Sequence, residues 1–184
     1  MNRQALRRRI LACRACGLHA QCEGPVPFRG PSPAPWAIVG EAPGGVEDLK
    51  GKPFVGPSGE LLDRTLARVG LDMADAFVCN TVSCFPHGRP GLKHIAACRK
   101  NLRDQIVLSE APYILLLGKV AFNVFWPDES IMRLHGATQS HSYEDLTLTL
   151  FATFHPAAVL RNKALARAWR LDLEEFAGMV TDGT

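Results

Sequence analysis

Four short apolar runs punctuate this 184-residue chain, and each stops abruptly at a glycine or a polar side chain. Trp36-Ala37-Ile38-Val39 is bounded by Pro35 and Gly40, Phe77 to Val82 carries a single amide at Asn80, and Tyr113 to Leu117 ends at Gly118. Runs this short, closed by turn formers and apolar at successive positions, predict strands covered on both faces, as in parallel sheets. A fourth, Leu146 to Phe154, begins by alternating and ends at His155-Pro156. Between the strands the apolar period lengthens to that of helices, over residues 3 to 12, from Ser58 to Gly70, over 93 to 108, from Val120 to Trp126 and from about Lys163 to Val180. Ser58 reads as an N-cap, and Leu165, Trp169, Leu173 and Phe176 form one stripe of the last helix. The alternation predicts an α/β protein with a central, mostly parallel four-stranded sheet flanked by helices, as a single domain over residues 1–184.

In such a sheet all strand ends face one way, and ligands bind outside the carboxyl ends. Glu41, Asn80 and His155 stand at three of those ends and are expected to converge. Glu41 opens a glycine- and proline-rich turn in which Gly40, Gly44 and Gly45 permit close main-chain approach. Taken singly, each residue has a plain structural role available: a loop-tethering acceptor, a turn former, a capped loop histidine. Phe54, between Pro53 and Gly56, is a stacking candidate or a loop anchor. The turn matches neither the GxGxxG nor the GxxxxGK[ST] phosphate pattern, which argues against a nucleotide cofactor.

A 47% apolar, 21% charged composition is that of an ordinary globular chain, and a net charge of +3 tolerates a polyanion without declaring one. No apolar run reaches membrane-spanning length, and MNRQALRRRI is not followed by a secretory core, so a cytoplasmic location is the expectation. Six cysteines in such a chain argue for a metal rather than disulfides. Cys13-x2-Cys16 and Cys84-x13-Cys98 supply four thiolates, with Cys22 a competitor and Cys79 placed mid-strand as a core residue. Four thiolates suit zinc or a [4Fe–4S] cluster equally.

The stretch GEAPG, Glu47-Asp48, GKPFVG and SGELLD resembles the uracil-DNA glycosylase superfamily, and within it family 4, the iron–sulfur type. The resemblance runs from Cys13 to about Asp172. It implies a structural [4Fe–4S] cluster on Cys13, Cys16, Cys84 and Cys98, with residues 1–35 as a cluster-binding segment. It implies a first motif at Gly40, Glu41, Ala42, Pro43 and Gly44, a base-reading Asn80, a base-stacking Phe54, and Glu47 crowding the pyrimidine C5. The second motif spans His155 to Arg161. Three departures stand out: a shortened FPHGRPGLKH after Cys84, His135 before Gly136 where the family commonly has Arg, and Ala157 where Ser often follows His-Pro.

The expected reaction is monofunctional hydrolysis of the uracil N-glycosidic bond in duplex or single-stranded DNA after base flipping, by a monomer. Glu41 and His155 would be catalytic. Leu160 would enter the space left by the flipped nucleotide, and Arg161 would bind a phosphate, unless Val159 and Leu160 both pack inward. The alternatives are a changed base range, hypoxanthine or 5-substituted uracil, and a catalytically silent iron–sulfur DNA-binding module of the same fold.

Overall fold

Side chains on β1 (Trp36–Gly40) point alternately into two separate cores, Trp36 and Ile38 into one, Ala37 and Val39 into the other. The same division holds on β3 (Tyr113–Leu117), where Leu115 and Leu117 oppose Ile114 and Leu116. That is why these runs carry no polar alternation. The computed structural model describes residues 2–143 and 146–183. Its sheet has the order β2-β1-β3-β5-β4, and β2 (Ala76–Asn80), β1, β3 and β5 (Leu146–Thr153) are mutually parallel neighbours.

The expected mostly parallel α/β sheet is present, with a fifth strand that patterning did not disclose. β4 (Thr138–Tyr143) runs antiparallel to β5 at the sheet edge. Its sequence, TQSHSY, has no apolar alternation, because an edge strand can be held through main-chain pairing alone. The Trp126 indole donates to the Gln139 side chain and pins this edge to the loop before it.

One face of the sheet is covered by α1 (Arg3–Leu11), α4 (Leu92–Ser109), α5 (Gly118–Phe125) and the short α6 (Ile131–Leu134), through Leu6, Ile10, Leu102, Phe122 and Ile131. The other is covered by α3 (Pro57–Arg68) and α8 (Ala166–Asp182), through Leu62, Leu66, Trp169, Leu173 and Phe176. Two short helices lie on the site side, α2 (Gly45–Lys50) and α7 (Pro156–Arg161). Two helix starts differ from the sequence reading. α3 begins at Pro57 with Gly56 in the cap position, so Ser58 lies inside the first turn; proline's fixed φ suits a first helical residue. A separate 3-10 turn over Lys163–Leu165 precedes α8.

The N-terminal segment is tied to the body by Arg9, which bridges Asp104 at 2.6 Å and donates to Asn101 at 3.1 Å. Between residues 24 and 35 the chain runs along the outer edge of β2, where Arg29 and Val78 exchange main-chain hydrogen bonds of 2.9 and 2.8 Å. Among the described residues no helix is long and apolar enough to cross a membrane.

Candidate active site

Parallel pairing sets Gly40 opposite Asn80 at the carboxyl ends of β1 and β2. Beyond this pair the chain is pinned. Thr81 donates to Gly40 O through both its main-chain N (2.8 Å) and Oγ1 (2.9 Å), and Val82 N donates to Glu41 O at 3.0 Å. A glycine is required at position 40 because a Cβ there would lie 2.6 Å from the Phe54 ring and would also collide with the Asn80 amide. Asn80 and Phe54 therefore close over bare backbone. Asn80 is only 5% exposed, and its Oδ1 is buried without a hydrogen-bond partner. A buried acceptor left open this way costs free energy unless a donor arrives.

Phe54 adopts φ +54°, a conformation that bulky residues rarely take and that costs on the order of 1–3 kcal/mol. Gly59 on α3 lies against the Phe54 carbonyl, where a Cβ would not fit, and helps hold the ring in place. Glu47 does the rest. One carboxylate oxygen accepts from Val55 N (3.0 Å) and Gly56 N (2.7 Å), the other from Gly44 N (3.1 Å). It thereby joins the two ends of the glycine-rich loop from beneath.

His155 enters from β5 as the cap of α7, its Nδ1 accepting from Ala157 N at 3.1 Å. Its ring stands 5.9 Å from that of Phe54, and Gly118, at φ +84°, lets α5 begin against its Cβ. Burial, helped by the nearby Arg161 cation, lowers its pKa to about 4. The imidazole is thus neutral at pH 7, and with Nδ1 accepting, its proton is on Nε2. Glu41 is raised from the ordinary carboxylate range by burial, against the opposing pull of Arg89 and Arg161. The strand below His155 is anchored where the sequence departs from the resembled pattern. Thr153 donates to Asp172 at 2.5 Å, and His135 pairs with the same carboxylate at 3.0 Å.

These groups line one cavity of about 640 Å³, which brings together Glu41, Ala42, Pro43, Glu47, Phe54, Asn80, His155 and Arg161. Gly40 does not itself line it and lies against the Phe54 ring and the Asn80 amide. On α7, Val159 is buried and Leu160 is 48% exposed, so the pair does not pack inward together. Sequence reasoning passed over Arg89, Lys119 and Met132, which also line the cavity. Arg89 stands in a Gly-Arg-Pro-Gly loop, and nothing in that local pattern says which way the loop folds.

Behind the turn, Cys84, Cys98, Leu18 and Val82 are buried together, with Cys16, Cys22, Ala42 and Ile95 packed around them. The Cys84 thiol faces those of Cys22, Cys98 and Cys16, with Cys22 at hydrogen-bonding reach, and Cys98 faces Cys16 and Cys13. Burial and this crowding push both thiols up. Cys79 lies apart, in the core that α1 and α4 cover, its thiol raised to about 12 by burial alone. Among the described residues no three such side chains already stand in a closed ligand arrangement. The donor set, several thiols around one buried point, nonetheless fits a thiolate-bound metal or cluster.

The model of the family described as the uracil DNA glycosylase superfamily matches residues 27–174. Curated relatives share the length as well. The type-4 uracil-DNA glycosylase of Pyrobaculum aerophilum is 34% identical over 97% of this chain and 94% of its own. That of Archaeoglobus fulgidus is 34% identical over 92% of this chain and 88% of its own, and that of Thermotoga maritima 32% over 94% and 91%.

Proposed function

The chain belongs to the uracil DNA glycosylase superfamily, and on that premise we propose how its cavity releases uracil from DNA. The protein is a DNA repair glycosylase: it hydrolyses the N-glycosidic bond of deoxyuridine and leaves an abasic site. The observation that carries this reading is the buried, unpartnered Asn80 Oδ1 in the same cavity as a neutral His155.

A base stacked in a duplex is out of reach, so the nucleotide is first flipped out, at a cost of a few kcal/mol that is least for mispaired uracil. Phe54 stacks on the extruded ring. Asn80 Oδ1 accepts from uracil N3–H while its amide nitrogen donates to O4; cytosine, with an acceptor at N3 and an amine at C4, presents the inverse pattern. Bond breaking puts negative charge on the base and positive charge on the sugar. The His155 Nε2–H and the main-chain amides of Glu41 and Ala42 stabilise the first at O2, since Pro43 has no N–H and Gly44 N already donates to Glu47, and the Glu41 carboxylate stabilises the second or orients the attacking water. Both oxygens of Glu47 are taken by main-chain donors. Its contribution against thymine is therefore to hold the loop wall beside C5.

Leu160 fills the gap in the stack, and Arg161 contacts a phosphate. Cys13, Cys16, Cys84 and Cys98 would hold a [4Fe–4S] cluster, with Cys22 as the fifth thiol beside them. Ligation by these four thiolates would tie the N-terminal segment to the loop after β2 and to α4, beside the patch on which Ala42 packs. The test is base release from matched oligonucleotides carrying uracil, thymine, hypoxanthine or hydroxymethyluracil. Release of uracil well ahead of the others is expected; equal or greater release of any other base would overturn the specificity, and no release at all would overturn the enzyme.

A further inference from the structure

α7 separates the active-site cavity from a second groove of about 410 Å³, with Ala157, Ala158 and Arg161 lining the first and Val159 the second. α3 and α8 form its sides. Leu61, Val69 and Val159 give it an apolar floor, and Arg68, Arg167 and Arg170 a cationic rim. Among the described residues the one carboxylate lining it, Glu174, is already bridged to Arg170 at 3.4 Å, so Arg68 and Arg167 meet no carboxylate there. Trp169 also lines the groove. It is 2% exposed, and its Nε1–H is buried with no acceptor. Buried indole N–H groups almost always find a partner, so an orphan in a cationic groove points to an acceptor supplied from outside, and an anionic one.

The distribution of charge selects among anions. Arg161 lines the active-site cavity, and Lys163, Arg167 and Arg170 follow at spacings of four and three, close to one face of a helical run. A small free anion would need only the groove; a polyanion leaving the cavity would meet this whole track. We propose that the groove binds a backbone phosphate of the DNA strand continuing past the flipped nucleotide, with Trp169 Nε1–H and the guanidinium groups of Arg68 and Arg167 as donors. The proposal rests on the glycosylase reading only for the identity of the polymer. The apolar floor seats the sugar edge, and α7 becomes a ridge between two footholds, so that Leu160 is pressed into a duplex held on both sides.

The test uses the full-length protein and DNA carrying an uncleavable abasic analogue, compared as a duplex of about 30 base pairs and as a single strand of about five nucleotides that cannot span both sites. Arg68→Ala and Arg167→Ala should each weaken binding of the long DNA about five- to tenfold and lower the salt slope by about one, with a distinctly smaller loss on the short strand. Trp169→Phe keeps an aromatic ring without the N–H and should reproduce the length-dependent loss; because the smaller ring also leaves core volume unfilled, the readout is the ratio of long-DNA to short-strand affinity in protein still folded at the assay temperature. Losses equal on both lengths, or no loss on either, overturn the proposal. So does inorganic phosphate that perturbs Trp169 fluorescence in protein whose DNA affinity is unaffected by these variants, since the groove would then hold a small anion only. Because binding is measured without base release, failure of uracil cleavage would sink the glycosylase reading and leave this result standing or falling alone.

Discussion

The floor of the active-site cavity and its rim are built by opposite means. Gly40, Asn80 and the Gly44 to Gly56 loop are held almost entirely by hydrogen bonds to main chain: Thr81 and Val82 clamp the turn, Glu47 ties three amides, and Phe54 is kept at a positive φ by the helix packed against it. The rim on α7 presents Leu160 and Arg161 as exposed side chains, on a helix of six residues. A floor fixed before substrate arrives suits charge stabilisation, where donors must not reorganise during the reaction. A rim of free side chains suits a DNA duplex whose distortion must be met locally. Floor variants should therefore damage the chemistry on every substrate, and rim variants only where a duplex must be held open.

The largest effect is expected at Asn80. Asn80→Ala leaves uracil N3–H buried without an acceptor, which at about 2–3 kcal/mol lowers kcat/KM by about 100-fold, equally on single-stranded and duplex DNA. Asn80→Asp should also relax discrimination against cytosine. If Asn80→Ala released uracil at the parental rate, the floor would not read the base. Leu160→Ala should behave inversely, with about a tenfold loss on duplex DNA and little on single strands. Equal losses on both forms with a lower melting temperature would move Leu160 from rim to floor.

A pH profile separates the two acid–base groups of the floor. His155 is already neutral at the ordinary histidine range, since its pKa is near 4, so kcat/KM should show no inflection at pH 6.5. Activity should instead fall as Glu41 protonates, above the usual carboxylate value because burial raises it, and Glu41→Gln should remove that limb. An inflection at 6.5 that survives Glu41→Gln would mean His155 is solvated. The depressed pKa has a consequence for stability too. The unfolded chain takes up a proton that the folded one holds off, so this contribution is present above pH 6.5 and is lost as pH falls toward 4.

What the sequence disclosed follows the same division. Apolar runs announced β1, β2 and β3 because both their faces are buried, and the shared direction of parallel strands was enough to bring Glu41, Asn80 and His155 together. β4 stays hidden because main-chain pairing at an edge leaves no side-chain pattern, and α7 gives no helical signal because six residues are too few for periodicity to show. The roles of Glu47 and Arg89 turn on loop geometry. A carboxylate that collects three amides from both ends of a loop looks, in sequence, like any helix-surface glutamate.

The smallest effect is expected at Cys79, and its position makes it the sharpest control on how the floor is backed. Cys79 and Cys84 are five positions apart on one continuous segment, yet they lie in different cores: Cys79 among aliphatic and aromatic residues under the sheet, Cys84 among thiols beside Ala42. Replacing Cys79 by Ala removes one buried sulfur, a cost of about 1 kcal/mol in melting experiments, and should leave iron content and uracil release unchanged. If the proposed cluster is bound, Cys84→Ala or Cys98→Ala should abolish its broad visible absorption, and either variant should weaken uracil release on single strands and duplex alike, because the buried patch of Leu18, Val82, Cys84 and Cys98 against which Ala42 packs is loosened. Cys22→Ala decides the remaining ligand. Iron retained in Cys22→Ala and lost in Cys98→Ala supports the four ligands proposed; the reverse pattern replaces Cys98 with Cys22. Iron loss in Cys79→Ala would overturn the separation of the two cores.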